Sequence, residues 1–120
     1  LLDQHGSAAL QAEGKRLKAE LLQEQADQLD KAGKLPQALT QRQEALRLLP
    51  DDVWLAYRVA ATQARLGDVA GGERLLRGRL AAQPQNDSLR YATALNAGAQ
   101  QWRDTQQRFG RVAGAPDALN

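Results

Sequence analysis

Leu22, Ala26 and Leu29 stand at i, i+4 and i+7, separated by Gln, Glu and Asp. One apolar stripe along a polar segment predicts an amphipathic helix. Gly33 predicts its end, because a glycine just past the last turn takes the left-handed conformation that other residues resist. Pro36 follows near the start of a partner helix, where its missing N–H is harmless. That second helix carries Ala38, Leu39, Ala45, Leu46 and Leu49 and stops at Pro50. The scheme then recurs. Asp51 or Asp52 caps a helix that runs to about Leu66, Gly67 turns the chain, and a helix from about Val69 to Ala82 ends before Pro84. A further helix begins at Asn86 or Asp87, reaches about Ala99 and continues in a helix around Trp102 to Val112. Ahead of Ala19, the residues Ala8, Leu10, Ala12 and Leu17 suggest a helical lead-in that Gly6 and Gly14 weaken.

A single period underlies this pattern. Ala26 and Ala60, Gly33 and Gly67, Pro50 and Pro84, Leu55 and Leu89, and Tyr57 and Tyr91 are all 34 residues apart. Such a period predicts an all-α solenoid fragment in which antiparallel helix pairs pile up, each covering a face that its neighbour leaves bare. The units are residues 19–52, 53–86 and a degenerate 87–113, with a lead-in or end of a preceding repeat at 1–18 and a tail at 114–120. Composition agrees with this: charged residues are 25% and hydrophobic ones 42%, so the chain should fold, and aromatics are only 4% in a sequence rich in Ala, Leu, Gln, Arg and Glu.

Charge and candidate chemistry narrow the function. The net charge is only +2, which argues against a dedicated nucleic-acid binder. It is unevenly placed, with seven basic against nine acidic residues in 1–52 and nine against five beyond. With no Cys, disulfides and thiolate zinc sites are ruled out, and with no Met the chain reads as a piece of a longer protein. No apolar stretch approaches the ~20 residues that span a bilayer. His5 is the only histidine and has no companion ligand, so a metal site or triad on it is not expected. Ser7 and Ser88 lie in no nucleophile elbow, and no glycine-rich loop ends in Lys-Ser or Lys-Thr. Asp27 and Asp30, at i and i+3, share a helix face and form a possible acid/base pair, but the favoured reading is a solvated face. The expectation is a chain with no catalytic residue, metal or cofactor, hence not an enzyme.

Ala26, Ala38 and Ala45, with Gly33 and Pro50 at their intervals, make residues 19–52 resemble a tetratricopeptide repeat, and Ala60, Gly67, Leu76 and Pro84 do so for the next unit. A narrower likeness lies in Asp52-Val53-Trp54-Leu55-Ala56-Tyr57-Arg58-Val59 and Arg90-Tyr91-Ala92-Thr93-Ala94-Leu95. Both are similar to the periplasmic repeat region of bacterial cellulose synthase operon protein C, the cellulose export subunit. That resemblance implies a periplasmic scaffold that precedes an outer-membrane β-barrel, links it to the synthase subunits and guides the glucan chain. Two departures stand out. Gly71-Gly72 replaces a small residue followed by an apolar one, and Arg79 replaces a packing Ala.

In a tetratricopeptide stack the first helix of each pair lines the concave surface. Trp54 and Tyr57 would share one side of such a helix, with Tyr91 one unit along. Two readings stand: the three rings fill joints between helix pairs, or they line a ligand groove for a glucan or partner, since sugar C–H faces stack on aromatic rings. Trp102 and Phe109, seven apart, would close the end of the apolar stack. The alternative function is a generic protein-recognition module that holds a peptide or partner helix. Glu20, Gln23, Glu24 and Asp27 on the first helix would repel a terminal carboxylate. Gly71, Gly72 and Gly78 should make one helix the weakest, and they mark either close packing, the favoured reading, or a bend.

Overall fold

The computed structural model describes residues 4–114, with side chains described for residues 6–109. The chain is all-helical there: α1 is Gln4–Lys31, α2 Leu35–Leu48, α3 Val53–Arg65, α4 Val69–Ala82 and α5 Asp87–Gly114. No strand occurs among the described residues. The tail expected at 114–120 lies, past Gly114, outside them, as does the side chain of His5.

The turns repeat in atomic detail. Gly33 has φ 78° and Gly67 φ 95°, both left-handed. After each, the next N–H reaches back five residues: Lys34 to the Leu29 carbonyl at 2.8 Å, and Asp68 to the Gln63 carbonyl at 2.8 Å. This closure satisfies carbonyls that a helix end would leave bare. The starts repeat too. Asp52 Oδ1 accepts from the Leu55 N–H at 3.0 Å, and Asn86 Oδ1 accepts from the Leu89 N–H at 3.0 Å, again 34 residues on. Asp68 caps α4 through the Gly71 N–H at 2.9 Å. The start of α2 has no side-chain cap and relies on Pro36 in its first turn.

Each helix packs on the next and α5 also reaches α3, whereas α1 touches neither α4 nor α5. The described helices therefore form an open row, not a closed bundle. The molecule measures 76 × 36 × 19 Å with a radius of gyration of 18.5 Å, against about 14 Å for a compact chain of this length. Ala19, Ala45, Leu46, Leu55, Ala56, Val59, Ala60, Leu76 and Leu89 form one core cluster across the row. Four of its nine members are alanines, which lets the helix axes approach closely. One such approach is at Gly72, where an added Cβ would lie 2.7 Å from the Ala60 carbonyl oxygen. Gly72 is thus a packing contact and not a bend, while Gly71 makes room for the Asp68 carboxylate that caps the helix and Gly78 faces open space.

α1 and α5 have 28 residues each, twice the 14 of α2 and α4. Half of each long helix overhangs its partner. Gly6 and Gly14 do not interrupt α1, because the Ala, Leu, Gln, Lys and Glu around them favour helix enough to absorb two penalties of ~1 kcal/mol. In α5 neither Pro nor a capping Gly follows Ala99, so the chain runs straight on. Trp102 and Phe109 therefore do not close the stack. With nothing among the described residues folded back opposite them, they are 63% and 70% exposed.

Candidate functional site

α3 sorts its side chains by the helical repeat. Leu55, Ala56, Val59 and Ala60 are buried, while Trp54, Tyr57, Arg58, Ala61 and Arg65 border the outer flank between α1 and α5. On that flank the three aromatic residues singled out in the sequence meet. The Trp54 ring lies 5.8 Å from that of Tyr57, at 74°, and 6.0 Å from that of Tyr91, at 67°. Both contacts are edge-to-face, the geometry that ring quadrupoles favour. Trp54 is 45% exposed and Tyr91 59%, so these two do not fill a joint between helices. Tyr57 is half-buried and anchors the group to the core.

Tyr57 also borders a polar depression of about 330 Å³ that continues along α3 to Arg65. Its centre is Arg42 of α2, only 8% exposed. The Arg42 guanidinium donates from Nη1 to Asp30 Oδ2 at 3.1 Å and to Thr62 Oγ1 at 3.0 Å, and from Nη2 to Asp27 Oδ1 at 3.1 Å. Thr62 in turn donates to the Arg58 carbonyl at 2.7 Å. Arg65 grips Asp30 with both terminal nitrogens, at 2.8 and 3.1 Å. Arg58 donates to Gln23 Oε1 at 2.9 Å. The contacts of Arg58 and Arg65 both join α3 to α1 across 35 residues, so the two helices lie side by side in register.

This corrects the solvated reading of Asp27 and Asp30. Asp27 stays 57% exposed, but Asp30 is 21% exposed and held by two arginines. Hydrogen bonding to Arg65, reinforced by Arg42, holds the Asp30 carboxyl below its ordinary pKa, and the same bond raises that of Arg65. A carboxylate kept ionised in this way cannot act as a general acid near neutrality. Arg42 is the residue that sequence reasoning missed. It lies four residues after Ala38 and three before Ala45, on a stripe whose other members are fully buried, and that spacing was the available signal.

A larger hollow of about 660 Å³ opens between α1 and residues 48–52, lined by Lys15, Arg16, Glu20 and Asp52 among others, and holds no aromatic ring. Among the described residues, no three His, Cys, Asp or Glu side chains are grouped to hold a metal ion, and no helix is long and apolar enough to cross a membrane. What the flank offers is three clustered rings beside a fixed set of donors and acceptors. No protein-family model, curated protein or solved structure matches the chain, so the family likeness is carried by its own residues alone.

Proposed function

We propose that this chain is a run of tetratricopeptide-type helix pairs acting as a non-enzymatic periplasmic scaffold in a bacterial cellulose or related exopolysaccharide export machine, linking synthase subunits to an outer-membrane pore. The repeat assignment is supported by turns and caps that recur at 34 residues and by side-chain contacts that join residues 35 apart. The cellulose assignment rests on the resemblance of the Trp54 and Tyr91 segments. Within it, the Trp54, Tyr57 and Tyr91 cluster touches the passing glucan.

One observation carries the glucan contact. Exposed rings adjoin an ordered row of carboxylate, guanidinium and amide groups, and a sugar needs both, an apolar surface for its C–H faces and polar partners for its hydroxyls. A polymer that must slide calls for shallow, weak contacts, and an open flank supplies those better than a closed pocket.

The test is a cello-oligosaccharide titration followed by tryptophan fluorescence in a Trp102→Phe background, so that Trp54 alone reports. The expected result is a saturable change at millimolar sugar that Tyr91→Ala weakens. An unchanged spectrum with cello-oligosaccharide would remove the glucan contact and leave scaffolding alone. A saturable change with a peptide, but not with sugar, would favour the protein-recognition alternative.

A further inference from the structure

A cleft of about 300 Å³ between α4 and α5 is lined by Leu76, Leu80, Thr93, Ala94, Asn96 and Ala97, among others. One repeat earlier, α4 covers the same place in part, beside a hollow of about 340 Å³. Moving back 34 residues turns Leu80, Thr93, Ala94 and Ala97 into Leu46, Val59, Ala60 and Gln63. Against those residues α4 itself packs, with Gly72 on Ala60 and Leu75 beside Leu46, Val59 and Gln63. The α4/α5 cleft is thus a helix seat with no helix in it. Ala94 is exposed where Ala60 is fully buried.

A segment of the same chain matches the one that packs in the earlier seat. Residues 70–75 of α4 read Ala-Gly-Gly-Glu-Arg-Leu, and residues 12–17 of α1 read Ala-Glu-Gly-Lys-Arg-Leu, placing Gly14 at the position of Gly72 and Leu17 at that of Leu75. This part of α1 is bare. Residues 7–18 are all exposed, Leu17 is 53% exposed, and a Cβ added at Gly14 would meet nothing within 4 Å. We propose that the overhanging first half of α1 from a second copy docks in the α4/α5 cleft. Gly14 would then lie against Ala94 as Gly72 lies against Ala60, with Leu17 entering beside Leu80 and Ala97. Knob and seat are different surfaces, so the contact is heterologous and joins copies head to tail.

Sedimentation velocity from micromolar to millimolar protein tests this, with Gly14→Leu blocking the knob and Ala94→Arg blocking the seat. Both positions are exposed, so Ala94→Arg should keep the helicity and melting temperature of the parent, and Gly14→Leu should hold or raise them. The parent should grow beyond its single-chain mass of 13.1 kDa as concentration rises, and each variant alone should self-associate at least about tenfold more weakly. Mixing the two variants should restore a species of two chains and nothing larger, because one intact knob then meets one intact seat. The proposal is overturned if the parent stays a single chain throughout, if either variant associates as the parent does, or if the mixture does not pair.

Discussion

Two joints in the row share a backbone plan and differ in what they bury. Where α1, α2 and α3 meet, Asp30, Arg42, Thr62 and Arg65 form a bonded polar cluster. Where α3, α4 and α5 meet, the residues 34 positions later are Ala64, Leu76, Asn96 and Ala99, and the buried arginine has become a fully buried leucine. Yet the turns ahead of α2 and α4 have the same hydrogen bonds, and the caps of α3 and α5 match to a tenth of an ångström. The repeat geometry is therefore set by Gly at the turns, Asp or Asn at the caps and small residues at the contacts. The residue at the centre of a joint is free to vary. A buried ion cluster adds little net stability once its desolvation is counted. Its consequence is positional, since it fixes α1 against α3 beside the aromatic flank.

Substitutions in the two joints should differ in their cost. Leu76→Ala should have the largest effect, about 2–5 kcal/mol in urea unfolding, because the apolar joint has only packing to hold it and the cavity remains. Gly72→Ala should cost about 1–3 kcal/mol by the same measurement, since its methyl group would press on the Ala60 backbone. The polar joint should show itself in acid. Because the folded pKa of Asp30 is depressed, its contribution is fully present above the ordinary carboxylate value of about 3.9 and is lost as pH falls through the lower folded value. Urea midpoints at successive pH values should fall more steeply in acid for the parent than for Asp30→Asn. Gly78→Ala should go the other way and raise stability by about 0.4–1 kcal/mol, since its added methyl meets open space. Arg42→Leu, which gives the first joint the residue of the second, should change stability least, by under about 1 kcal/mol. Arg65 still neutralises Asp30 in that variant, and Asp27 is largely in water. A loss as large as that of Leu76→Ala would show the ion cluster to be the main support of its joint.

What could be read from the sequence was local or periodic. The left-handed glycines, the Asp52 and Asn86 caps and the 34-residue spacing of Tyr57 and Tyr91 each needed only a few neighbouring residues and a ruler, and the three rings do meet. What could not be read depended on distant partners. Asp30 looked solvated because its guanidinium partners come from positions 12 and 35 residues away. Trp102 and Phe109 looked like the close of an apolar stack because their seven-residue spacing says nothing of whether a helix lies opposite. Gly6 and Gly14 looked like interruptions because single-residue propensity ignores the strong helix formers around them.

The described helices lie in an open row, a shape that small-angle X-ray scattering on the self-association-blocked Gly14→Leu protein measures. An open row predicts a radius of gyration near 18.5 Å and a longest dimension near 76 Å. A value near the ~14 Å of a compact chain of this length would mean that the helices close on themselves, and the exposed flank, the empty seat and the scaffold reading would fall with the row.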